Sequence, residues 1–290
     1  MNKNMLLAAI VGLQSLPAAH AEESPDEATY YQDLPVVLSA SRLNQPLSEA
    51  PNAMTVLDRS TIEASGFRSI PDLFKLVPGM YVSYYKGNVP IVAYHGSTDQ
   101  YARAMQVLVD GRSIYMSPLG AVEWTSLPFT VDDIERIEVI RGPAAASHGA
   151  NSTKGVINII TRSPGSMNGA YASVRLGDKG VKDVAAKFGK QGETLDYRMT
   201  VAHSVDSGYD NLTSPPANMG IPAAMAGGIL NNSFDSTMAR LINYRADFHP
   251  NAVDNFDFQF GYNNNIKQVG WTDSQGNPVH DLHSNASFIQ

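Results

Sequence analysis

Two strands that meet at a corner of small residues most constrain how this sequence can fold. Between Ile134 and Thr161, the charged strand Arg136–Arg141 runs into the turn Gly142-Pro143, and a second apolar strand follows at Gly155–Thr161. The corner between them is rich in alanine and glycine, which let one backbone pass close to another, and glycine also tolerates positive φ. The spacing predicts a tightly packed pair of strands. An ordinary hairpin with a tight corner fits it equally well.

Short helices and further strands surround this segment between residues 52 and 164. Ser60-Thr61-Ile62-Glu63 has the pattern of a capping box and predicts a short helix that Gly66 ends. A second helix is predicted after Ser69, because four apolar residues from Ile70 to Val77 recur at helical spacing. The other predicted strands are Ala53–Leu57, Met80–Tyr84, Pro90–Tyr94 and Met105–Val109. We therefore predict an α+β domain with a small mixed sheet and short helices.

Composition excludes several broad classes of protein. The chain of 290 residues is 43% hydrophobic, which is too apolar for general disorder, and no apolar run reaches the roughly 20 residues of a membrane-spanning helix. A net charge of −7 argues against a nucleic-acid partner, which usually requires a basic face. The absence of cysteine excludes disulfides, thiol nucleophiles and acylated anchors.

Enzyme signatures are missing from the sequence as well. It contains no Gly-x-Ser-x-Gly elbow, no Gly-x-Gly-x-x-Gly loop and no His-Glu-x-x-His pair. The segment His280-Asp281-Leu282-His283 offers two histidines, but two ligands are weak support for a metal site, so we predict a polar loop there. We predict a protein that is not an enzyme and holds no metal or cofactor. A secreted enzyme with an unrecognised site is an alternative.

The first 21 residues have the order of a signal peptide. Lys3 precedes an apolar run from Met5 to Leu16, and Ala19-His20-Ala21 provides a cleavage site of the A-x-A type. We therefore predict an exported protein whose residues 1–21 are removed, with an N-terminal core helix as the alternative. Residues 22–51 contain four prolines and no sustained period, which indicates a flexible arm.

Residues 165–290 show the alternation of half-buried strands. The predicted strands are Ala170–Leu176, Val181–Phe188, Leu195–Ser204, Met238–Phe248 and Phe256–Tyr262. Short turns such as Gly177–Gly180 alternate with a long connection from Ser207 to about Asp235, as in outer-membrane barrels. A soluble antiparallel sheet alternates in the same way. As part of a membrane barrel, five strands would leave two bare edges, which lipid does not tolerate, so we expect the front part of a longer protein or a truncated product.

Three segments, in the expected order, resemble motifs in the plug domain of TonB-dependent outer-membrane receptors. They are the helix that ends at Pro78-Gly79, the apolar strand that ends in Asp110-Gly111, and the plug signature from Ile134 to Thr161. The resemblance implies a plug over residues 52–164 and the beginning of an antiparallel transmembrane β-barrel over residues 165–290. It further implies an outer-membrane transport receptor for a bulky nutrient such as a ferric siderophore.

The same resemblance implies a coupling segment within the arm. The segment that resembles the TonB box consists of Asp33, Leu34, Pro35, Val36, Val37, Leu38, Ser39 and Ala40. An extended segment of this kind can add as a strand to the edge of TonB, the energy-transducing partner at the inner membrane. A plain linker is the alternative. A free-standing periplasmic protein that binds a ligand without transporting it is the alternative function.

Aromatic and basic residues in the predicted plug form a candidate ligand face. The candidates are Tyr81, Tyr84, Tyr85, Lys86, Tyr94, His95, Tyr101 and Arg103. Tyrosine rings offer flat faces and a hydroxyl that suit a bulky amphipathic chelate, and the basic groups suit its anionic parts. The alternative is that these rings pack inside the plug or against the barrel.

Two further positions bear on the family resemblance: one departs from the family pattern and the other matches it. The family usually has arginine where this chain has His95, so the role of that position is open. Arg141 matches the other plug arginine of the family, which implies a buried contact with an acid on the barrel wall. A surface ion pair, worth less than about 1 kcal/mol, is the alternative for Arg141.

Overall fold

The computed structural model describes residues 36–37, 45–46, 53–85, 88–95, 104–116, 120–208, 235–251, 253–272 and 278–289. The predicted signal peptide and most of the predicted coupling segment lie outside these residues. Within the arm, two short segments, Val36–Val37 and Gln45–Pro46, pair as antiparallel strands. In the described part of the chain, no helix has both the length and the apolar character needed to cross a bilayer.

The strands, numbered along the chain, are β1 (Val36–Val37), β2 (Gln45–Pro46), β3 (Ala53–Leu57), β4 (Met80–Tyr85), β5 (Val89–Tyr94), β6 (Met105–Val109), β7 (Arg112–Ser113), β8 (Ile134–Arg141), β9 (Gly155–Thr161), β10 (Gly169–Leu176), β11 (Lys182–Lys190), β12 (Leu195–Asp206), β13 (Thr237–Phe248), β14 (Phe256–Thr272) and β15 (Pro278–Ile289). The α-helices are α1 (Arg59–Ser65), α2 (Ile70–Leu73) and α3 (Ala145–His148). Short 3₁₀ helices lie at Phe74–Leu76, Trp124–Ser126, Val131–Asp133, Ala150–Ser152 and Pro164–Ser166.

The N-terminal domain is built on a five-stranded mixed sheet with the order β3-β8-β9-β6-β7. β6 and β9 run parallel, and the other neighbours run antiparallel. Apolar side chains of β8 and β9 such as Ile137 and Ile159 are fully buried under α1 and α2. The rings of Phe74 and Trp124 meet edge to face in this core, with centroids 5.2 Å apart. The α+β fold predicted from the sequence is confirmed.

Local details of the two predicted helices differ from the prediction. Asp58, rather than Ser60, caps α1, because its carboxylate accepts the backbone N–H of Thr61 at 2.7 Å. Gly66 ends α1 with φ of 66°, as predicted. α2 is a single turn that tightens into a 3₁₀ helix, and Ser69 makes no side-chain capping bond.

The six strands β10 to β15 form a second sheet in which each strand pairs with the next along the chain, all antiparallel. The two outer strands, β10 and β15, have no second neighbour among the described strands, so the sheet stays open. This arrangement agrees with the predicted start of an antiparallel barrel.

The sequence underestimates the last two strands of this sheet. β14 runs to Thr272, whereas the prediction ends it at Tyr262, and β15 is not predicted at all. The polar loop predicted at His280–His283 is wrong, because that backbone lies within β15. The reason lies in the run Asn263-Asn264-Asn265, in which the outward residue Asn264 is polar as well as its inward neighbours. The inward residues meet polar groups of the N-terminal domain, and the polar outward residue removes the apolar half of the alternation.

Candidate functional site

The N-terminal domain contacts the inner face of the six-stranded sheet through polar groups. The alternation of strand side chains places apolar residues outside and polar residues inside. Inward side chains that are almost fully buried include Arg198, Thr200, Asn243, Gln259, Asn263, Asn265 and Lys267. Burying so many polar groups is tolerable only when they find partners, so their contacts define how the two parts fit together.

The first contact, which we name the Arg68 clamp, joins Arg68 to Asp183 of β11 and Asp206 of β12. Arg68 Nε and Nη2 donate to the two oxygens of Asp183 at 2.7 and 2.9 Å, and Nη1 donates to Asp206 Oδ2 at 3.0 Å. Ser204 Oγ donates to Asp183 Oδ1 at 2.7 Å and fixes that carboxylate. The hydrogen bond to Asp183 raises the pKa of Arg68 above its ordinary value. The clamp therefore always presents a cation between two acids.

The second contact, which we name the Asp133 node, has the opposite polarity. Asp133 Oδ1 lies 2.8 Å from Lys187 Nζ and 3.5 Å from Arg198 Nη1, and it accepts the hydroxyl of Thr200 at 2.9 Å. Its other oxygen accepts the backbone N–H and the hydroxyl of Thr130, both at 2.8 Å. One buried acid of the N-terminal domain thus meets two basic residues of the sheet.

Electrostatics explains why Asp133 stays ionised in this site. Burial by itself raises the pKa of a carboxyl group, and Asp133 is only 1% exposed. The charges of Lys187 and Arg198, together with the hydrogen bonds from Lys187 and Thr130, outweigh that effect and lower the pKa below its ordinary value. Arg198 is itself fixed, because its Nε donates to the carbonyl of Arg162 at 2.9 Å.

A third contact runs along β14. Lys267 Nζ lies 2.6 Å from Glu123 Oε1 and 3.2 Å from Thr125 Oγ1, and the Lys267 side chain is fully buried. The amide groups of Asn263 and Asn265 donate to the backbone carbonyls of Leu127 (2.8 Å) and Thr125 (3.1 Å) respectively. The amides on the inner face of β14 therefore bind backbone carbonyls in one segment of the N-terminal domain.

A fourth contact lies at the Asp110-Gly111 turn. Asp110 accepts the backbone N–H and the hydroxyl of Thr161, both at 2.8 Å, and lies 3.6 Å from Arg245 of β13. Asp110 has φ of 47°, a conformation that Asp tolerates better than most residues. The guanidinium of Arg112 lies 4.0 Å from the ring centroid of Phe288 on β15. The Asp110-Gly111 motif found in the sequence thus also lies at a contact with the six-stranded sheet.

A cavity of about 650 Å³ separates α2 and its neighbours from β12, β13 and β14. It extends from residues next to the long connection, including Asp206, Gly208 and Asp235, to Thr130 and Val131 near the opposite end. Asn263 and Asn265 line it, and the Oδ1 atom of each is buried without a hydrogen-bond partner in the described part of the chain. These acceptors suit a solute or water that donates hydrogen bonds.

The structure separates the predicted ligand residues. Tyr81 and Tyr84 lie three positions apart on β4 and therefore point to opposite faces of the β4–β5 hairpin. The Tyr84 hydroxyl donates to Asp72 at 2.9 Å, and burial raises its pKa. The ring of Tyr94 packs edge to face on His95, with centroids 4.0 Å apart. The side chain of Tyr85, and all of Lys86, Tyr101 and Arg103, lie outside the described residues.

The contact predicted for Arg141 stays a prediction. Its Nε atom is buried without a hydrogen-bond partner, and no ion pair to a sheet residue occurs within the described residues. His95 has φ of 45°, and its carbonyl accepts Lys154 Nζ at 3.0 Å.

Sequence reasoning missed the residues that do tie the two parts together. Arg68 lies in a connection without any motif, so no local signal marks it. Arg198 and Thr200 stand on the polar face of a predicted strand, which is the one available signal. Asp133 directly precedes the plug signature and could have been noticed as an acid placed before a buried strand.

Comparisons with known sequences agree with these observations. The family model of the TonB-dependent Receptor Plug Domain matches residues 46–156. The Vitamin B12 transporter BtuB of Vibrio vulnificus is 33% identical over 186 residues, which cover 63% of this chain and 29% of that protein. The Iron-regulated outer membrane virulence protein of Vibrio cholerae is 32% identical over 162 residues, 54% of this chain and 23% of that protein. The chain thus spans about a third of these relatives or less.

Solved structures show the same fold. The Pseudomonas aeruginosa protein FpvA bound to heterologous pyoverdines has a TM-score of 0.64 at 16% identity, covering 89% of this chain and 33% of that one. The ferric enterobactin receptor PfeA of the same species, as a mutant, has a TM-score of 0.58 at 18% identity, covering 84% and 38%. These structures show the fold, which is a plug-like mixed sheet followed by antiparallel strands that resemble the start of a receptor barrel. The plug-family match over residues 46–156 and the sequence relatives support the resemblance of this chain to a fragment of a TonB-dependent receptor.

Proposed function

We propose that this chain is the front part of an outer-membrane transporter that takes up a bulky nutrient with energy supplied through TonB. The observation that carries the proposal is the seating of a TonB-family plug on the inner polar face of the barrel strands. The Arg68 clamp and the Asp133 node hold it there with opposite polarities. Ion pairs between separate parts can be exchanged for water, so such a plug can be held firmly and still released.

The outward face of the strands supports a location in the outer membrane. Exposed apolar side chains on this face include Val184, Phe188, Leu195, Met199, Val201, Ile242, Phe248, Phe256, Phe258 and Tyr262. The rings of Phe248 and Phe256 stack, with centroids 6.2 Å apart, at the end of the sheet that carries the short turns. An apolar band bordered by aromatic rings is what lipid requires of a barrel surface. The partner of this face in our proposal is outer-membrane lipid.

The order of contacts along the chain suggests how pulling on the arm would act on the plug. The arm leads directly into β3, which lies at the edge of the plug sheet and pairs with β8 over five residues. In the described part of the chain, Arg68 is the first residue after the arm that forms an ion pair with a barrel strand. A force on the Asp33–Ala40 segment would therefore load β3 and α1 before it reaches the clamp.

The β4–β5 hairpin supports a ligand face at the outer side. Next to its tip, Asn88 Nδ2 donates to the carbonyls of Asp235 and Ser236 at 2.7 and 2.8 Å. Those residues stand beside the long connection, which in outer-membrane barrels lies on the extracellular side. Tyr84 lies close to this tip and above the cavity that runs down to Thr130. The proposed ligand is a bulky chelate such as a ferric siderophore, and the relatives make cobalamin the other candidate.

The coupling role is tested by deleting Asp33–Ala40 from the receptor that carries this chain. We expect energy-dependent uptake to be abolished and ligand binding at the cell surface to be unchanged, because the proposed ligand face contains no residue of the deleted segment. Deletion of eight residues between 22 and 31 serves as the matched control and should leave uptake intact. Uptake by the Asp33–Ala40 deletion at the normal rate would overturn the coupling role.

The location is tested by fractionating cells and probing with an antibody against residues 52–164. A band in the outer membrane whose migration changes on boiling supports the transporter. A periplasmic band near 31.3 kDa would instead support a free-standing binding protein. Titration with ferric siderophores and with cobalamin then identifies the ligand class.

A further inference from the structure

A row of polar side chains crosses the outward face of the barrel strands. Strand pairing places His203 of β12 beside Arg240 of β13, Arg240 beside Asn264 of β14, and Asn264 beside Asn285 of β15. We name these four residues the polar row. They share the outward parity of the exposed apolar residues Val201 and Ile242, so they face away from the plug.

The position of the polar row along the strands places it near a border of the apolar band. Eight residues separate Leu195, at the short-turn end of β12, from His203, which is about 26 Å at about 3.3 Å per residue. A strand tilt of about 40° reduces this to a height of about 20 Å, close to the roughly 25 Å of an outer-membrane apolar band. The polar row therefore lies toward the end that carries the long connection, where outer-leaflet headgroups begin.

Groups in the polar row have capacity for further hydrogen bonds. The Arg240 side chain is exposed, and within the described residues its guanidinium lies 3.9 Å from the sulfur of Met238. His203 Nδ1 is buried without a hydrogen-bond partner within the described residues. Asn264 Nδ2 donates to Asn285 Oδ1 at 2.6 Å, which orients both amides across the strand pair.

The charged residues at outward positions of β11 to β14 have one sign. The outward positions of β11 to β14 carry Lys182, Lys190 and Arg240 and, as far as the structure describes them, no aspartate or glutamate. An arginine that faces lipid is costly at the middle of a bilayer and nearly free at the headgroups. A basic residue beside hydrogen-bonding amides fits a phosphate group, which accepts several hydrogen bonds and carries negative charge.

We infer that His203, Arg240, Asn264 and Asn285 bind the phosphate-bearing headgroup of an outer-leaflet lipid. The inference rests on the proposed location in the outer membrane. The lipid chains would cover the apolar rows below, and the headgroup would meet Arg240. On β11, Lys182 occupies the next outward position toward the long connection, opposite Val205. It adds positive charge beside the polar row.

The test measures lipid binding by the full chain in a neutral detergent. The probes are diphosphoryl lipid A and the same lipid with its phosphates removed. We expect Arg240→Gln to weaken binding of diphosphoryl lipid A about fivefold, which is the effect of one basic residue at an anionic headgroup. Lys190→Gln is the matched control, because Lys190 shares the face but lies at the short-turn end, and it should bind like the unaltered chain. Arg240→Lys should retain most of the affinity.

Several outcomes would overturn the inference. Equal binding of the two lipids would remove the role of phosphate, and unchanged affinity in Arg240→Gln would remove the role of this residue. Displacement of the lipid by millimolar inorganic phosphate would show a free-anion site, and a lipid-independent dimer lost in Arg240→Gln would show that a second copy occupies the row.

If Arg240→Gln alters the circular dichroism spectrum, Asn285→Asp takes its place and should weaken binding by repulsion. Failure to reach the outer membrane would contradict the proposed function as well, whereas lost lipid preference in a correctly located chain contradicts this inference alone.

Discussion

Single residues set the polarity of the contact between plug and barrel. Asp133 brings a buried negative charge to Lys187 and Arg198, and Arg68 brings a positive charge to two acids. If the plug were inverted, like charges would face each other in a site with little water, where repulsion is strong. These residues therefore specify one orientation of the plug as well as holding it.

Replacing Asp133 with Asn should strongly destabilise the seating of the plug. The change removes the negative charge and leaves Lys187 and Arg198 close together without compensation, so we expect a loss of about 3–5 kcal/mol in the free energy of unfolding. Urea unfolding of the full chain, followed by tryptophan fluorescence, measures the loss. Asp132→Asn is the matched control, because the Asp132 side chain forms no ion pair with any residue that the structure describes. Equal stability of the two variants would argue against the node.

The Asp133 node also predicts a dependence of stability on pH. The pKa of Asp133 in the folded chain lies below its ordinary value of 3.8, so the unfolded chain takes up a proton first as the pH falls. The stabilisation is therefore complete above about pH 5 and is lost as the pH drops below 4 toward the lowered pKa. Urea unfolding at pH 6 and pH 3 should show a smaller decline for Asp133→Asn than for the unaltered chain. Parallel declines would contradict this explanation.

Among the elements, β3 and α1 of the plug form no hydrogen bond or ion pair with a barrel strand in the described part of the chain. β3 is an edge strand, and α1 is held within the plug by Arg59, which donates to the carbonyls of Asp132 and Ile134. Arg68 follows α1 and is the first of the described residues after the arm to form an ion pair with a barrel strand. Such an edge element with few outside contacts is expected to open at a lower free energy than the core strands.

Arg68→Gln should make β3 and α1 open more easily. The change breaks three charged hydrogen bonds in a partly exposed site, so we expect amide hydrogen exchange in residues 53–65 to accelerate about tenfold, equivalent to about 1.4 kcal/mol. Exchange in β9 should be unaffected. Lys75→Gln is the matched control, since Lys75 pairs with Asp72 on the plug surface and lies over the ring of Phe67, and both partners belong to the plug. Acceleration in both variants would indicate a general effect of lost charge.

At the scale of the whole molecule, the strands separate two environments. Polar groups face the plug and apolar groups face outward, which is the reverse of a soluble protein. The same sheet therefore has a polar inner contact, where the Oδ1 atoms of Asn263 and Asn265 lie at a cavity without a partner among the described residues, and an apolar outer face. Movement of the plug against the wall is compatible with the first environment, and anchoring in lipid requires the second.

Ile242→Arg should impair association with lipid bilayers. Ile242 lies on the outward face between apolar neighbours, where an arginine costs about 2–4 kcal/mol at the depth of the bilayer midplane. Leu76→Arg is the matched control, because Leu76 is equally exposed, at 38%, but belongs to the plug. Flotation of the full chain with phosphatidylcholine vesicles measures the difference. Equal flotation of both variants would argue against a lipid-facing sheet.

Local sequence patterns were sufficient to predict the two kinds of sheet in this chain. The Ile134–Thr161 corner and the Asp110-Gly111 turn predicted the plug sheet, because tight corners need particular small residues wherever they occur. The period of two predicted most of the barrel strands for a similar reason, since an apolar outer face and a polar inner contact select residue types position by position. Arg141, the tyrosines and the coupling segment remain predictions, since neighbours in space decide their roles.

The pairing of polar groups between plug and barrel became visible in the folded structure and could not be predicted from local sequence. Arg68 and Asp183 lie 115 residues apart, and Asp133 and Arg198 lie 65 apart, so no local pattern connects them. The inner residues of β14 show the same point. Asn263 and Asn265 bind backbone carbonyls of the plug and Lys267 binds the side chain of Glu123, and no local pattern predicts these partners. Alternation in a strand states that a face is polar. Which charge it must present depends on the part of the plug that folding brings against it.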